Sequence, residues 1–159
     1  MEIRTANVAD LSEIQKLLVV SGLLVDDVSA SLIKGFLVAE DASGSVIGSI
    51  GLEQLGSSVL LRSLAVASHV RGTGIARELV VRLEDKVRAC GPLDVWLLTT
   101  TAEHFFERAG YERVVRNDVP GEVQLCRQFA VLCPSTATCM RKRLGPMHSY
   151  SIVERPLSN

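Results

Sequence analysis

Apolar residues near the start of the chain recur at the three- and four-residue spacing of an amphipathic helix, at Leu11, Ile14, Leu17 and Leu18. Thr5 or Asn7 can cap this helix, because short polar side chains accept hydrogen bonds from the first free N–H groups. Gly22 marks its end. Residues 23–31, which carry two aspartates and two serines, are predicted to form a second short helix or a loop.

Three short apolar runs follow, and their spacing is that of an antiparallel meander. They cover residues 36–40, 45–53 and 59–66. The turns between them hold Gly, Ser and Asp, which are the residue types that favour tight turns. The pattern therefore predicts three consecutive antiparallel strands.

The clearest helix lies in the middle of the chain. Its apolar stripe repeats mostly at every fourth residue, at Ile75, Leu79, Leu83, Val87 and Cys90. Gly91 fits the position just after a helix, and Pro92 prevents the helix from continuing. A strand that is apolar apart from one aspartate is predicted next, over residues 93–99.

The remaining third of the chain alternates short helices and strands. Thr100 and Glu103 fit a capping box, which predicts a helix from there through Ala109. A strand, a helix and a last strand complete the series, over residues 111–115, 122–132 and 137–144. An antiparallel meander followed by β-α-β crossovers predicts an α/β fold with a mixed sheet and helices on both faces.

The composition is that of one folded domain. A chain of 159 residues leaves room for one core, since a domain takes roughly 100–200 residues. A hydrophobic fraction of 47% excludes global disorder. We expect one domain over residues 1–144 and a flexible tail over residues 145–159, which show little periodicity.

The balance of charge argues against nucleic acid and membrane partners. Seventeen basic residues against eighteen acidic ones give a net charge of −1, and a nucleic-acid footprint would need a basic stripe. No apolar run approaches the length of a membrane span, and the first residues lack the pattern of a signal peptide. The sequence therefore predicts a cytoplasmic protein.

Four cysteines are present, and none of them forms a C-x-x-C pair; they are Cys90, Cys126, Cys133 and Cys139. Paired cysteines at that spacing are the usual sign of a zinc site, so we expect no metal site. In a cytoplasmic protein the four thiols are expected to be reduced and mostly buried, with a reactive thiol or a soft-metal contact as the alternative.

The segment that carries chemistry is a strand that enters a glycine-containing turn and then a helix, Arg71-Gly-Thr-Gly-Ile-Ala76. Gly72 and Gly74 allow the backbone to approach a ligand closely, and the free N–H groups of a helix start suit a phosphate or pyrophosphate. Arg71 adds a charged donor. A Walker A loop is absent, and the third glycine of a Rossmann fingerprint is replaced by Arg77, so both nucleotide motifs fail.

This pattern resembles the GNAT superfamily of acetyl-CoA-dependent N-acetyltransferases, whose pyrophosphate loop reads Q/R-x-x-G-x-G/A. The stretch from residue 102 to 111 resembles the second signature of that family, a short helix that ends in glycine and an aromatic residue. The resemblance implies acetyl-CoA as the cosubstrate. It also implies a set of cofactor-binding residues, namely Leu64, Ala65, Val66, Arg71, Gly72, Thr73, Gly74, Ile75, Ala76 and Phe106.

A narrower resemblance is carried by four short motifs, which are Gly51-Leu-Glu53, Leu60-Leu-Arg-Ser63, Leu98-Thr-Thr-Thr-Ala102 and Leu132-Cys-Pro134 with Cys139-Met140. They resemble the arsenic-resistance-associated N-acetyltransferases, which act on amino-acid-like arsenicals such as arsinothricin, a glutamate analogue. The third motif is also similar to the acetyltransferase domain of N-acetylglutamate synthases. Both resemblances imply a small amino-acid-like amine as the acceptor, and they leave a homodimer open.

Three residues are candidates on the acceptor side. The resemblance places Glu53 at the end of a strand that faces the cleft, where it is a candidate base for the acceptor amine; a solvated carboxylate is the alternative. Arg62 lies in an otherwise apolar strand, so it must face water, a partner or an anion. With Ser63 beside it, Arg62 is a candidate clamp for the acceptor's carboxylate, and a structural salt bridge is the alternative.

The general acid is not evident in the sequence. Many GNAT enzymes carry a tyrosine in the second signature, where this chain has Phe105 or Phe106, and neither can donate a proton. Two other classes of function therefore stay open beside the small-molecule N-acetyltransferase. One is a CoA-binding sensor, and the other is a protein acetyltransferase.

Overall fold

A computed structural model describes residues 1–90, 93–131 and 137–145, and its strands form one mixed sheet of order β1-β2-β3-β4-β5-β7-β6. The strands are β1 (Glu2–Thr5), β2 (Phe36–Glu40), β3 (Val46–Leu55), β4 (Ser58–Val66), β5 (Leu93–Thr99), β6 (Glu112–Arg113) and β7 (Thr138–Leu144). The helices are α1 (Leu11–Val20), α2 (Ile75–Arg88), α3 (Glu103–Arg108), α4 (Gly121–Gln124) and α5 (Arg127–Val131).

Pairing along the sheet follows the predicted scheme. Strands β1 to β4 pair antiparallel, β4 and β5 pair parallel, and β7 runs antiparallel between β5 and β6. The parallel step needs a crossover, which α2 supplies. The predicted α/β class and mixed sheet are confirmed.

Helices cover both faces of the sheet. The apolar stripe of α2 packs on one face, with Leu79 and Leu83 fully buried against residues such as Leu61 and Leu97. On the other face, α1 packs against β2 and the end of β4, while α4 and α5 pack around Leu60 and Trp96. Cys90, predicted as the last member of the α2 stripe, is exposed, because α2 ends before it.

Strands β4 and β5 diverge after a short region of pairing. Their ladder joins Val59 to Val95 and Leu60 to Trp96, yet β4 runs on to Val66 and β5 to Thr99. Beyond the ladder, the two strand ends form the walls of a cleft between them. Backbone groups on the facing edges of the cleft are not used in strand pairing there, and they can bind an extended ligand.

A β-bulge at Ser63 sets the direction of the side chains along this wall. The register to β3 shifts between Gly51, which pairs with Arg62, and Ser49, which pairs with Ala65. Ser63 adopts a φ of 59°, which is uncommon for a residue with a side chain. The buried Ser49 Oγ donates a hydrogen bond of 2.9 Å to the Ser63 carbonyl. The extra residue lets Arg62 and Ala65 face the same side of the sheet.

Asn7, one of the two predicted caps, caps a short 3-10 turn over Val8–Asp10 that leads directly into α1. The Asn7 side chain accepts a hydrogen bond from the Ala9 N–H at 3.0 Å, and the Asn7 N–H donates one to Asp10 Oδ2 at 2.8 Å. Gly22 ends the helix with a φ of 73°, and residues 23–31 form a loop rather than a second helix. Strand β1 was not predicted, because it has one apolar residue and is held by backbone pairing to the edge of β2.

The predicted capping box at Thr100 and Glu103 is wrong. Helix α3 starts after Ala102, and no side chain caps it. Glu103 instead forms an ion pair with Arg113 and accepts a hydrogen bond of 3.2 Å from Thr138 Oγ1. Partners from β6 and β7 compete for this carboxylate, and local spacing cannot reveal them.

Two other elements differ from the prediction. The helix expected over 122–132 is divided into α4 and α5, and the strand expected over 111–115 is shortened to β6. Of the expected tail over 145–159, residues 146–159 lie outside the described residues, as do Gly91, Pro92 and Cys133.

Candidate active site

The predicted phosphate turn connects β4 to α2 and is shaped by two left-handed glycines. Gly72 has a φ of 82° and Gly74 a φ of 90°, and residues other than glycine rarely adopt this backbone conformation. A Cβ at either position would meet no other atom within 4 Å, so both glycines border open space. The Thr73 hydroxyl donates to the Val70 carbonyl at 2.6 Å and holds the turn closed.

Free backbone donors point out of this turn. Gly74 is the residue at the start of α2, and Glu78 is the first to donate back to it, so the N–H groups of the first helical turn lack helical acceptors. Arg71 folds back and donates to the Val66 carbonyl at 3.2 Å, while its side chain stays exposed. The turn thus offers the N–H groups and the positive helix end that bind a pyrophosphate.

A groove leads from the turn to the cleft between β4 and β5. It is lined by Leu64, Val66, Ala76 and Phe105, among others. Phe105 also borders the turn itself. The predicted cofactor residue Phe106 lies instead in the wall of the cleft, where it is 4% exposed and stacks edge-on against Phe105 at 5.1 Å. Phosphate turn, groove and cleft are therefore continuous along one side of the molecule.

The guanidinium of Arg62 is enclosed by two carboxylates at the side of the cleft. Its Nη1 and Nη2 donate to both oxygens of Asp27 at 2.7 Å, and Nη1 also donates to Glu53 at 2.9 Å. Nε donates to Ser63 Oγ at 3.2 Å. The Arg62 side chain is 0% exposed, against 23% for Asp27 and 19% for Glu53. Hence Arg62, Ser63 and Glu53 lie together, and the arginine already has two carboxylate partners, as in the structural salt bridge that the sequence analysis named as the alternative to a clamp.

Charge pairing keeps this arginine protonated. Burial alone would lower the pKa of Arg62, but its hydrogen bonds to Asp27 and Glu53 outweigh burial and raise the pKa above its ordinary value. The neighbouring Asp26 pairs with Arg127 of α5, and that hydrogen bond lowers the pKa of Asp26. Three carboxylates therefore pair with two guanidinium groups beside the end of the cleft that Arg62 lines, which we call the acceptor end.

The loop after α1 closes the acceptor end of the cleft. Asp27 attaches this loop to β4 and Asp26 attaches it to α5, and Leu23 and Leu24 line the cleft. The sequence analysis missed this role, because the only signal was two adjacent aspartates in a loop. Neither a repeat nor a spacing links Asp27 to an arginine 35 residues away.

Gln128 on α5 is a further cleft residue that the sequence analysis missed. It is 8% exposed and lines the cleft together with Arg62, Ser63 and the three threonines at the end of β5, which are Thr99, Thr100 and Thr101. Its helix starts immediately after Cys126, a buried thiol whose pKa is raised by burial. A glutamine in a short, weakly periodic helix gives no sequence signal of a binding site.

Tyr111 lies outside the cleft. Its hydroxyl donates to Glu84 at 2.9 Å within the core on the α2 face, and burial together with the Glu84 charge raises its pKa. Lys142 completes the network with hydrogen bonds to Glu84 at 3.1 Å and to the Ala109 carbonyl at 2.8 Å. These contacts join α2, β7 and the end of α3. The hydroxyl proton of Tyr111 is directed to Glu84 in the core, so Tyr111 does not supply a proton in the cleft.

The described residues contain no group of three or more His, Cys, Asp or Glu side chains that could hold a metal ion. Within the same ranges, no helix has the length and apolar character needed to cross a membrane.

Comparison with known proteins bears on the same turn and cleft. The acetyltransferase (GNAT) domain model matches residues 33–113, which contain β2 through β6 and the phosphate turn. An uncharacterised N-acetyltransferase of Chlorobaculum tepidum is 32% identical over 108 residues, which is 67% of this chain and 66% of that protein. The matched part thus spans just under two thirds of that relative.

Two solved structures share the fold. Rv2747 of Mycobacterium tuberculosis, in complex with CoA, is 27% identical and has a TM-score of 0.73 over 89% of this chain and 98% of its own. N-acetylglutamate synthase of Neisseria gonorrhoeae, in complex with coenzyme A and N-acetyl-glutamate, is 20% identical. Its TM-score is 0.78 over 90% of this chain and 35% of the synthase. The chain therefore belongs to the GNAT family of acetyltransferases.

Proposed function

We propose that this protein transfers the acetyl group of acetyl-CoA to the amine of a small amino-acid-like acceptor. The observation that carries the proposal is the continuity of three features along one side of the sheet. A turn with two left-handed glycines at the start of α2 leads into a groove, and the groove opens into the cleft between β4 and β5.

In this proposal the predicted cofactor residues of the turn bind the pyrophosphate of CoA, and those at the end of β4 bind its pantetheine arm. Residues Arg71 to Ala76 supply backbone N–H groups and one guanidinium for the pyrophosphate. Leu64 to Val66 lie beyond the β4–β5 ladder, so their backbone can pair with the extended pantetheine arm as a strand would. An N–H group on this strand is also placed to polarise the thioester carbonyl.

Acetyl transfer at this cleft requires that the acceptor amine lose a proton. The amine nitrogen attacks the thioester carbon, a C–N bond forms, the C–S bond breaks, and CoA leaves as a thiolate. Glu53 is our candidate base for the ammonium proton, because its carboxylate is partly exposed at the acceptor end. The nitrogen loses its second proton to water as the C–S bond breaks, and water can protonate the thiolate, since a free thiol has a pKa of about 8.5.

Arg62 and Ser63 are the candidate clamp for a carboxylate of the acceptor. Asp27 already holds Arg62 through two hydrogen bonds, so an acceptor carboxylate has to share or replace Asp27. The geometry that suits Asp27 also suits any planar carboxylate, because a guanidinium binds both oxygens at once. A carboxylate-bearing amino acid therefore fits the site, with its amine directed toward the thioester.

Within this class, we propose glutamate or an arsenical glutamate analogue such as arsinothricin as the acceptor. The support is the resemblance of the motifs around Glu53, Arg62 and Thr100 to arsenic-resistance N-acetyltransferases. The Neisseria synthase is described with N-acetyl-glutamate bound, so the shared fold accommodates such a molecule.

A CoA-binding sensor is the second candidate. One observation favours it: no tyrosine faces the cleft within the described part of the chain, since Tyr111 is bonded to Glu84 and Tyr150 lies outside that part. A sensor would bind CoA and leave the acetyl group in place.

Turnover separates the two candidates. We expect release of free CoA from acetyl-CoA when L-glutamate or arsinothricin is added, and little release with a lysine-containing peptide or with buffer alone. A thiol-reactive dye measures the release, and mass spectrometry identifies the N-acetylated product. Tight CoA binding without turnover on any amine would favour the sensor, and preference for the peptide would favour a protein acetyltransferase.

Arg62→Ala is expected to lower kcat/KM for a carboxylate-bearing acceptor by roughly 10- to 100-fold, the scale of ~1.5–3 kcal/mol for a charged hydrogen bond. The affinity for CoA should stay the same, because Arg62 does not touch the phosphate turn. The change also leaves Asp27 and Glu53 unpaired, so some loss of stability is expected.

Arg62→Lys separates these two effects. Lysine keeps the positive charge between the carboxylates but lacks the planar fork. We expect Arg62→Lys to melt near the wild-type temperature and still to show a raised acceptor KM. A folded Arg62→Lys with wild-type acceptor kinetics would show that Arg62 has a structural role only.

A further inference from the structure

The polar side chains that face the cleft differ in whether they already have partners. Arg62 is bonded to Asp27, Glu53 and Ser63, and Thr99 Oγ1 accepts a hydrogen bond of 2.9 Å from the Ala102 N–H. Gln128 is the exception among the buried ones. Its side-chain amide forms no hydrogen bond with any residue in the ranges 1–90, 93–131 and 137–145.

The amide atoms of Gln128 are not among the fully buried side-chain atoms of the described residues that lack a hydrogen bond, so the amide is open to the solvent of the cleft although the rest of the side chain is buried. Gln128 is more than nine-tenths buried, and it lines the cleft rather than the outer surface of α5. By contrast, Gln124 on the preceding helix donates to the Val119 carbonyl at 2.7 Å. The Gln128 amide can therefore bond to a ligand in the cleft without giving up a hydrogen bond within the described part of the protein.

We infer that Gln128 binds the carboxylate end of the acceptor, with its Nε2–H donating to a carboxylate oxygen. The inference rests on the proposed function, because it concerns the acceptor in that same cleft. Glu53 is assigned to the amine end, so Gln128 serves the opposite end of a small amino acid. Gln128 is thus an acceptor-binding residue, in addition to Arg62 and Ser63.

Charge explains why a neutral amide suits this place. Three carboxylates, from Asp26, Asp27 and Glu53, lie beside the acceptor end, where they are already paired with Arg62 and Arg127. An incoming carboxylate therefore meets an excess of one negative charge. The Gln128 amide can donate to the carboxylate without giving up an ion pair of its own, whereas a glutamate at position 128 would repel the carboxylate.

The test compares Gln128→Leu with Gln128→Glu, using L-glutamate and n-butylamine as acceptors. Gln128→Leu should raise the KM for L-glutamate roughly 10-fold, as expected for one lost bond to a charged group, while kcat changes less than about threefold. Gln128→Glu should raise this KM further, and neither variant should worsen turnover of n-butylamine. Calorimetric titration of L-glutamate into the CoA-bound protein gives a second readout that is independent of turnover.

Gln54→Leu is the matched control, because Gln54 is exposed on β3 and bonds to the Gly56 carbonyl outside the cleft. It should leave the KM for L-glutamate unchanged. If Gln128→Leu fails to fold, Gln128→Asn, which keeps the amide but shortens it, should raise the same KM by a smaller factor. The melting temperature of each variant reports its folding.

Two outcomes would overturn the inference in distinguishable ways. If wild-type protein acetylates L-glutamate and Gln128→Leu retains the wild-type KM and affinity, the assignment of Gln128 fails while the proposed function stands. If wild-type protein neither binds nor acetylates L-glutamate, the proposed acceptor class fails, and the assignment of Gln128 fails with it.

Discussion

Gly74→Val should weaken CoA binding by about 100-fold or more, through a clash with the pyrophosphate and the loss of charge-assisted hydrogen bonds worth ~1.5–3 kcal/mol each. Gly74 has a φ of 90°, and a Cβ there would enter the open space in front of the helix start. That is the space where we place the pyrophosphate. Isothermal titration of CoA into the folded variant measures the effect.

Gly44→Val is the matched control for this variant. Gly44 has a φ of 87° and also borders open space, but it lies in the turn between β2 and β3. Both variants place a β-branched residue in the left-handed region, so both should lose stability by about 1–3 kcal/mol. Only Gly74→Val should lose CoA affinity, and equal affinity in the two variants would contradict the assignment of the turn.

Glu53→Gln is expected to lower kcat/KM about 100-fold at neutral pH, the lower range for loss of a general base. Glutamine keeps the shape of the side chain and a hydrogen bond to Arg62, so the fold should persist. The defect should shrink as pH rises, because a growing share of the acceptor amine is neutral without assistance. Steady-state rates with an active acceptor, measured from roughly pH 6 to pH 10, would show this trend, because that range spans the ionisation of an amine.

Asp27→Asn is the control for Glu53→Gln, because Asp27 is the other carboxylate on the same guanidinium. If Glu53 serves only to hold Arg62, the two variants should show similar defects at every pH. If Glu53 takes the proton, Glu53→Gln should have the larger defect and the pH dependence described above. Equal, pH-independent losses would remove Glu53 from the chemistry.

The helix-and-strand pattern of the fold was accessible from the order of residues. The stripe of α2 at Ile75, Leu79, Leu83 and Val87 is buried as predicted, and the meander of β2, β3 and β4 pairs in sequence order. Periodicity of this kind records which side of an element faces the core, so it survives folding. The glycine turn was equally readable, because left-handed backbone next to a helix start requires glycine.

The boundaries that were wrong share one cause. Glu103 was expected to cap α3, but its partners are Arg113 and Thr138, which come from other strands. The expected helix over 122–132 is interrupted where Cys126 turns into the core beside Cys139. In each case a contact distant in sequence outweighs a local preference of similar size.

The acceptor end of the cleft shows most clearly the difference between what the sequence indicates and what the tertiary structure decides. Arg62 lies in an otherwise apolar strand, and the sequence left open whether it faces water, a partner within the protein or a ligand anion. The fold brings Asp27 from the loop after α1 and Glu53 from β3 to this guanidinium, and it brings Gln128 from α5 to the same cleft. Local spacing specifies the conformation of each segment, whereas charge partners are set by how the segments pack around a shared core, and that packing has no period in the chain.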